Sequence, residues 1–322
     1  MTLLLLIVGL IGLWLGSTQI VNASKAIALR LGLSELLIGV TVVSIGTSLP
    51  EIMVTVFSGT HATSDIAVGA MVGSSIAQIT LVLGIAGLIH NVKSNQKALQ
   101  IDGPMMLIAI FTFGLLLYSD SSLSRFEGAL MIWLYLAYLW YTSRLEVFRE
   151  HKGMPAIKEK ESKPLSFRIG QMIVGLGILL VCAQLVMENA IALAQTYELS
   201  EAFIGVMLIG VASSLPEFST TVVSMLKGSP NIAVGTLIGS NITNPLLAIG
   251  IGSLINGFDT NMELIRFDLT FWFLTACIAI ILLKIRGETL HKGQALILLG
   301  LYVVFTGMKL ELIPIPEWLY LF

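Results

Sequence analysis

Apolar runs of about 20 residues recur along this chain from one end to the other, and each is long enough to cross the hydrocarbon core of a bilayer as a helix. Only 12% of the 322 residues are charged, about half the share with which a soluble domain covers its surface. The pattern predicts an all-α integral membrane protein. The net charge of −2 gives no reason to expect a nucleic-acid partner. The expected partner is the lipid bilayer, and no obligatory protein partner is evident.

Hydropathy predicts ten membrane-spanning helices. Their predicted bounds are 2–22, 35–60, 66–90, 104–119, 126–144, 168–197, 200–227, 232–256, 268–285 and 291–310. The one long polar stretch runs from Arg144 to Arg168, mixes Lys with Glu and contains two prolines. We therefore expect a first repeat at 1–144, a linker at 145–167 and a second repeat at 168–322.

An internal repeat relates the two halves. Residues 34–89 align without a gap with residues 200–255, an offset of 166, and 24 of the 56 positions are identical. Five predicted spans in each repeat force the halves into opposite orientations, as in secondary transporters. The expected fold is thus ten transmembrane helices in two inverted five-helix repeats. Asp102 and Asp268 share the same offset, and each precedes an apolar run, which is typical of a helix N-cap.

The basic residues predict the orientation in the membrane. With the N-terminus outside, 15 of the 18 Lys and Arg residues fall on the cytoplasmic side, as the positive-inside rule requires. We expect a multi-pass protein of the cell (plasma or inner) membrane. Its two termini should lie outside and its central loop in the cytoplasm.

Two carboxylates interrupt the apolar pattern. Glu51 lies in the middle of the predicted second span and Glu217 in the middle of the seventh. A charge at this depth costs about 2.5–3.5 kcal/mol on insertion scales. Its occurrence at equivalent places in both repeats favours a cation pathway over a protonated Glu that merely bonds to a neighbouring helix.

Each Glu follows a proline and small hydroxyl residues, in Gly46-Thr-Ser-Leu-Pro-Glu51 and Ala212-Ser-Ser-Leu-Pro-Glu217. Proline removes an amide from the helix, so carbonyls near Gly46 and Ala212 should lose their helical partners. Such backbone persists in a bilayer only where it lines a cavity or is buried in protein. Carbonyls, hydroxyls and carboxylates are hard ligands that suit Ca²⁺, Na⁺ or Mg²⁺. The absence of His and Cys from both segments argues against zinc and copper.

The third and eighth spans carry further polar side chains. Ser74 and Gln78, and likewise Ser240 and Asn244, are four residues apart and share one helix face. Polar residues that hold helices together would explain such pairs. Their recurrence behind a carboxylate-bearing helix favours ion coordination.

These paired segments resemble the α-repeats of the cation/calcium exchanger superfamily, most closely those of prokaryotic sodium/calcium exchangers. The resemblance covers nearly the whole chain. It implies an antiporter, not an enzyme, that exchanges Na⁺ for Ca²⁺ by alternating access and needs no cofactor beyond the transported ions. It implies ion ligands at Glu51, Glu217, Thr47, Ser213, Ser48, Ser214, Ser74 and Ser240, at the carbonyls of Ser44 and Gly210, and at Gln78 and Asn244.

The chain departs from the pattern of the resembled family in both repeats. Ala212 and Ser213 stand where Gly-Thr is usual, and Ser75 and Gln78 where Asn is common. Asn244 takes a position that is Asp in some archaeal members and in potassium-dependent relatives of the resembled family, and with Asn there the resemblance leans away from K⁺ co-transport.

Other functions remain open from the sequence. The nearest alternative is an antiporter of the same superfamily that exchanges Ca²⁺ or another divalent cation for H⁺, although no His follows Glu51 or Glu217. More remote alternatives are an intramembrane hydrolase that uses the two acids and a cation channel.

Overall fold

The computed structural model describes residues 2–57, 61–94, 98–150, 163–197, 210–260, 262–285 and 287–319, and helices dominate these segments. The α-helices in chain order are α1 Thr2–Leu31, α2 Glu35–Ile38, α3 Ser44–Thr47, α4 Leu49–Phe57, α5 His61–Ala77, α6 Leu83–Ile89, α7 Gly103–Asp120, α8 Arg125–Glu150, α9 Leu165–Thr196, α10 Gly210–Ser213, α11 Leu215–Leu226, α12 Pro230–Thr243, α13 Ile249–Asn256, α14 Met262–Ile285 and α15 Lys292–Lys309. Within these segments four π-helical turns, π1 Gly39–Val43, π2 Gln78–Val82, π3 Ala98–Asp102 and π4 Asn244–Ala248, continue into α-helices, and a 3₁₀ turn covers Glu317–Leu319.

Long apolar helices are confirmed, and the number of membrane spans stays a prediction. Within the described segments, six helical stretches are long and apolar enough to cross a bilayer: Thr2–Leu31, Ala67–Ile89, Ala98–Tyr118, Leu165–Thr196, Pro230–Asn256 and Arg266–Ile285. A seventh candidate is the pair Glu35–Thr47 and Leu49–Phe57, which is bent by 44°. Helices α8 and α15 occupy the predicted fifth and tenth spans, while residues 200–209 of the predicted seventh span lie outside the described residues.

Two predicted helix ends are wrong. Helix α1 continues nine residues beyond position 22, to Leu31, and α8 continues six residues beyond position 144, to Glu150. Both extensions add polar and charged residues, which a hydropathy window excludes although they are compatible with a helix.

The predicted second and seventh spans break at equivalent serines. Ser48 follows the last residue of α3 and Ser214 that of α10, and both leave helical geometry with ψ 7°. Pro50 and Pro216 are then the second residues of α4 and α11, where proline is tolerated because amides of a first helical turn need no intrahelical acceptor. A new helix therefore starts just before each buried carboxylate.

The two halves also share their irregular elements. The π-helical turns π2 and π4 begin at Gln78 and Asn244, which are related by the offset of 166. Strand β1 (Val92–Lys93) pairs antiparallel with β4 (Thr289–Leu290), and β2 (Ser122–Leu123) with β3 (Phe258–Asp259). Each strand of the first half thus pairs with a strand of the second half, and the halves are joined at both strand pairs.

Helices α1 and α9 pack closely along each other. A Cβ on Gly16 would lie 2.8 Å from the Leu179 nitrogen and 2.9 Å from the Gly175 oxygen, and one on Gly175 would lie 3.0 Å from the Gly16 oxygen. No side chain fits between backbones at this distance, so both positions need glycine. The main buried cluster lies elsewhere, among helices that include α5, α7, α8, α12 and α14, with Trp272, Tyr135 and Phe113 as its largest fully buried side chains.

The expectation that Asp102 and Asp268 act as N-caps is wrong. Asp102 precedes α7, but its side chain makes no cap hydrogen bond and accepts one from the Tyr138 hydroxyl at 2.8 Å. Asp268 lies inside α14 and forms an ion pair with Lys309 at 3.0 Å. A buried carboxylate needs a hydrogen-bond or ion-pair partner. Asp102 has one on α8 and Asp268 has one on α15, not at the N-terminus of the helix that follows or contains it.

Candidate ion-binding site

Glu51 and Glu217 form the centre of the candidate site. Each is the third residue of the helix that starts after a break, α4 or α11, and only 5% and 0% of their surfaces are exposed. The two carboxylates are near enough to repel each other. The start of a helix carries partial positive charge from its free amides, which favours carboxylates there but does not neutralise a pair of them.

Hydroxyl groups surround these carboxylates. The Ser240 hydroxyl donates a hydrogen bond to Glu217 Oε1 at 3.4 Å. Thr47 also interacts with the Glu217 carboxylate, and Ser74 with that of Glu51. Since Thr47 belongs to the first half and Glu217 to the second, the two halves meet in this site.

The remaining residues that flank the breaks are engaged to different degrees. The Ser44 carbonyl accepts hydrogen bonds from the Ser48 amide at 2.9 Å and from Thr47 Oγ1 at 3.3 Å. The Ser214 hydroxyl donates to the Val211 carbonyl at 2.9 Å. Ser213 is half-buried, and Gly210 is the first residue of α10.

The polar residues of the predicted third and eighth spans form hydrogen bonds between the two halves of the chain. Asn244 Nδ2 donates to Ser75 Oγ at 3.3 Å, and Asn241 Nδ2 donates to Gln78 Oε1 at 3.0 Å. Ser75 corresponds to Asn241, and Gln78 to Asn244, by the offset of 166. The two contacts therefore join the same pair of positions, once from each half, with donor and acceptor exchanged.

Three residues of this network were missed by the sequence reasoning as site residues. Ser75 and Asn241 follow the predicted ligands Ser74 and Ser240, and Trp272 Nε1 donates to Asn241 Oδ1 at 2.7 Å. A signal for Asn241 existed, because an amide at the centre of an apolar span is costly without partners. For Trp272 there was none, since a tryptophan in an apolar helix is an ordinary core residue.

Several oxygens of the centre have no protein hydrogen-bond partner in the part of the chain that the structure describes. They are both oxygens of Glu51, Oε2 of Glu217, Oγ of Ser48 and Oδ1 of Asn244. Buried acceptors of this kind are rare in folded proteins. Two carboxylates with neutral oxygens beside them make a donor set for a hard cation. Among the described residues, no group of three or more His, Cys, Asp or Glu side chains comes together, so a soft transition metal has no such cluster there.

Comparison with known proteins identifies the family. The sequence profile of the sodium/calcium exchanger protein family matches residues 1–144 and 167–310, and the chain belongs to that family. It is therefore a membrane antiporter of the cation/calcium exchanger superfamily, and its family members are transporters, not enzymes.

Individual relatives match over nearly their whole length. The inner membrane protein YrbG of Escherichia coli is 31% identical over 317 residues, which cover 97% of each chain. The sodium/calcium exchanger MaX1 of Methanosarcina acetivorans is 27% identical, over 94% of this chain and 96% of its own. A solved structure of the sodium-calcium exchanger NCX_Mj superposes with a TM-score of 0.79 at 25% identity, covering 94% of this chain and 96% of its own.

Proposed function

We propose that this protein exchanges Na⁺ for Ca²⁺ across a cell membrane by alternating access. The observation that carries the proposal is the buried pair Glu51 and Glu217. Their carboxylates are near enough to repel each other, and three of their four oxygens accept no hydrogen bond of normal geometry from the described residues. The similarity to MaX1 and to NCX_Mj, which are both sodium/calcium exchangers, supports the same two ions.

The charge of the centre supports exchange at a shared site. Two carboxylates carry about −2, which one Ca²⁺ or a set of Na⁺ ions can neutralise in turn. A desolvated, uncompensated pair of charges costs several kcal/mol per ion, so the protein is expected to move between its two faces mainly when ions occupy the site. Competition for the same oxygens then couples the two fluxes.

The ligand set that we propose comes from both repeats. Glu51 and Glu217 bind Ca²⁺ and share Na⁺. The neutral ligands are Thr47, Ser48, Ser213, Ser214, Ser74, Ser240, Gln78 and Asn244 with the carbonyls of Ser44 and Gly210. The hydrogen bond from Ser240 to Glu217 and the interactions of Thr47 and Ser74 with the carboxylates support the central part of this set.

The organisation in the membrane is part of the proposal. We infer two inverted five-helix repeats at 1–144 and 168–322, with a cytoplasmic linker at 145–167 and both termini outside. The shared breaks at Ser48 and Ser214 support the repeat, the distribution of basic residues supports the orientation, and the similarity to an inner membrane protein supports the location.

The test is ⁴⁵Ca²⁺ uptake into proteoliposomes with an imposed Na⁺ gradient, compared with a pH gradient of matched size. We expect uptake with the Na⁺ gradient. Glu51→Gln and Glu217→Gln should reduce it to the level of protein-free liposomes, because each halves the charge of the centre. Glu188→Gln is the matched control, since Glu188 is exposed on α9 and bonds to Gln184. Near-normal uptake by a well-folded Glu51→Gln or Glu217→Gln variant would refute the two-carboxylate site. Uptake driven by the pH gradient alone would favour Ca²⁺/H⁺ exchange.

A further inference from the structure

A chain of buried hydrogen bonds connects Trp272 on α14 with Gln78 at the start of π2. Trp272 Nε1 donates to Asn241 Oδ1 at 2.7 Å, and Asn241 Nδ2 donates both to Gln78 Oε1 at 3.0 Å and to the Leu237 carbonyl at 2.9 Å. Trp272, Asn241 and Gln78 are all fully buried. Every link therefore lies where a lost partner cannot be replaced by bulk water.

The chemistry of the end groups fixes the orientation of both amides. An indole N–H can only donate and a peptide carbonyl can only accept. Asn241 must therefore present its oxygen to Trp272 and its nitrogen to Leu237. The second N–H of that nitrogen meets Gln78, so Gln78 must present its oxygen to Asn241. The end of Gln78 left over is Nε2, with two N–H groups and no acceptor among the described residues.

The equivalent amide of the second half is not held in this way. Asn244 Nδ2 bonds to Ser75 Oγ, and a hydroxyl can accept or donate, so this contact permits either orientation. The residue equivalent to Trp272 in the first half is Met106, which has no N–H to donate. The repeat thus provides one amide with a fixed orientation and one that can turn its oxygen to a cation.

We propose that Trp272 is a positioning residue that acts through Asn241 to hold Gln78 with its N–H groups, and not its oxygen, available to the carboxylate centre. Gln78 shares a helix face with Ser74, and Ser74 lies near enough to interact with Glu51. The two Glu51 oxygens accept no hydrogen bond of normal geometry from the described residues. Gln78 Nε2 and the Glu51 oxygens are not bonded to each other in this structure, and in the proposed ion-bound site Gln78 would be the donor that orients the Glu51 carboxylate, while Asn244 Oδ1 would be the amide oxygen that binds the ion. This inference rests on the proposed function and revises the part that it gives to Gln78.

Trp272→Phe tests the chain because it removes the indole N–H and keeps an aromatic ring. Losing the fixed donor should raise the KM for Ca²⁺ about three- to tenfold, the effect of one hydrogen bond, with the maximal rate within about twofold. Trp133→Phe is the matched control, because Trp133 is 64% exposed on the outer face of α8 and should change neither value. Asn241→Ser introduces the residue found at the equivalent position of the first half, Ser75, and should produce the same increase in KM. This variant replaces Trp272→Phe in the test if Trp272→Phe does not fold.

A double-mutant cycle separates positioning from a structural role. If Trp272 acts through Gln78, then Trp272→Phe should change the KM by less than about twofold in a Gln78→Met background, since interacting residues are not additive. A full increase in that background, an unchanged KM in Trp272→Phe, or a fall in KM would overturn the proposal. Loss of all Ca²⁺ transport in Gln78→Met alone would also overturn it, because the loss of one hydrogen-bond donor should raise the KM for Ca²⁺ by no more than about tenfold. If the unmodified protein transports no Ca²⁺, the proposed function itself fails.

Discussion

Substitution of Gly239 by alanine tests how closely the packing of the helices is linked to the ion site. Gly239 lies on α12 directly before Ser240, which bonds to Glu217. A Cβ at this position would lie 2.7 Å from the Cα of Val40 and 2.7 Å from both Cβ and Oγ of Ser44. These atoms belong to the broken second span, so any relief must move the span that carries Glu51.

The magnitude follows from the distances. Ordinary contact begins at 3.4 Å against the 2.7 Å found here, so the two helices must separate by about 0.7 Å, the difference between these values. Overpacking of this kind costs about 1–3 kcal/mol. If that cost appears in the ion-bound state, in which both helices converge on the ion, it corresponds to about 5- to 150-fold weaker Ca²⁺ binding. A preorganised binding site tolerates displacements of its ligands of only about 0.5 Å, so this separation is also expected to weaken Ca²⁺ binding.

The assay is Ca²⁺ binding to purified protein by calorimetry, together with the melting temperature. We expect Gly239→Ala to bind Ca²⁺ at least fivefold more weakly and to melt at a lower temperature. Gly300→Ala is the matched control, because Gly300 is exposed on α15 and no described atom lies within 4 Å of its added Cβ. It should bind Ca²⁺ normally. Unchanged affinity and melting temperature in Gly239→Ala would refute the argument.

Three further predictions follow from other residues. Lys309→Met should lower the free energy of unfolding by about 2 kcal/mol, because it leaves Asp268 buried without its ion pair. The loss is smaller than for a fully buried pair, since the Lys309 side chain is 30% exposed. Adding Asp268→Asn should restore most of the stability, and equal melting temperatures of the single and double variants would contradict this. Ca²⁺ flux driven by Na⁺ should be the same with K⁺ or choline at clamped potential, because Asn244 and Gln78 are neutral where K⁺ co-transport would need another acid, and measurable ⁸⁶Rb⁺ co-transport would show this reasoning to be wrong. A cysteine at Gly153 should react with an impermeant maleimide only from the cytoplasmic side, and its labelling in intact cells would overturn the predicted orientation.

Features that are written locally in the chain could be predicted from the sequence. The prolines that precede Glu51 and Glu217 predicted disturbed helices, and the structure has breaks two residues before Pro50 and Pro216. The spacing of four between Ser74 and Gln78 predicted one polar face on the third span. Such signals depend on a few neighbouring residues, which is why a single sequence reveals them.

Long-range partners could not be predicted in the same way. An acid before an apolar run has the local signature of an N-cap, and nothing near Asp102 or Asp268 points to Tyr138 or Lys309, which lie 36 and 41 residues further along the chain. The bond from Trp272 to Asn241 likewise depends on how α14 packs on α12. Periodicity within one helix cannot show which residue of another helix faces it.

The repeat explains why the proposed site takes its residues from both halves. Thr47 of the first half interacts with Glu217 of the second, and Asn241 of the second half bonds to Gln78 of the first. The short strands also pair between the halves. One repeat by itself would hold a single buried carboxylate without these partners, at a cost that membrane depth makes severe. Joining the repeats brings two carboxylates to one place, and only there does their shared charge match a divalent cation or a set of monovalent ones.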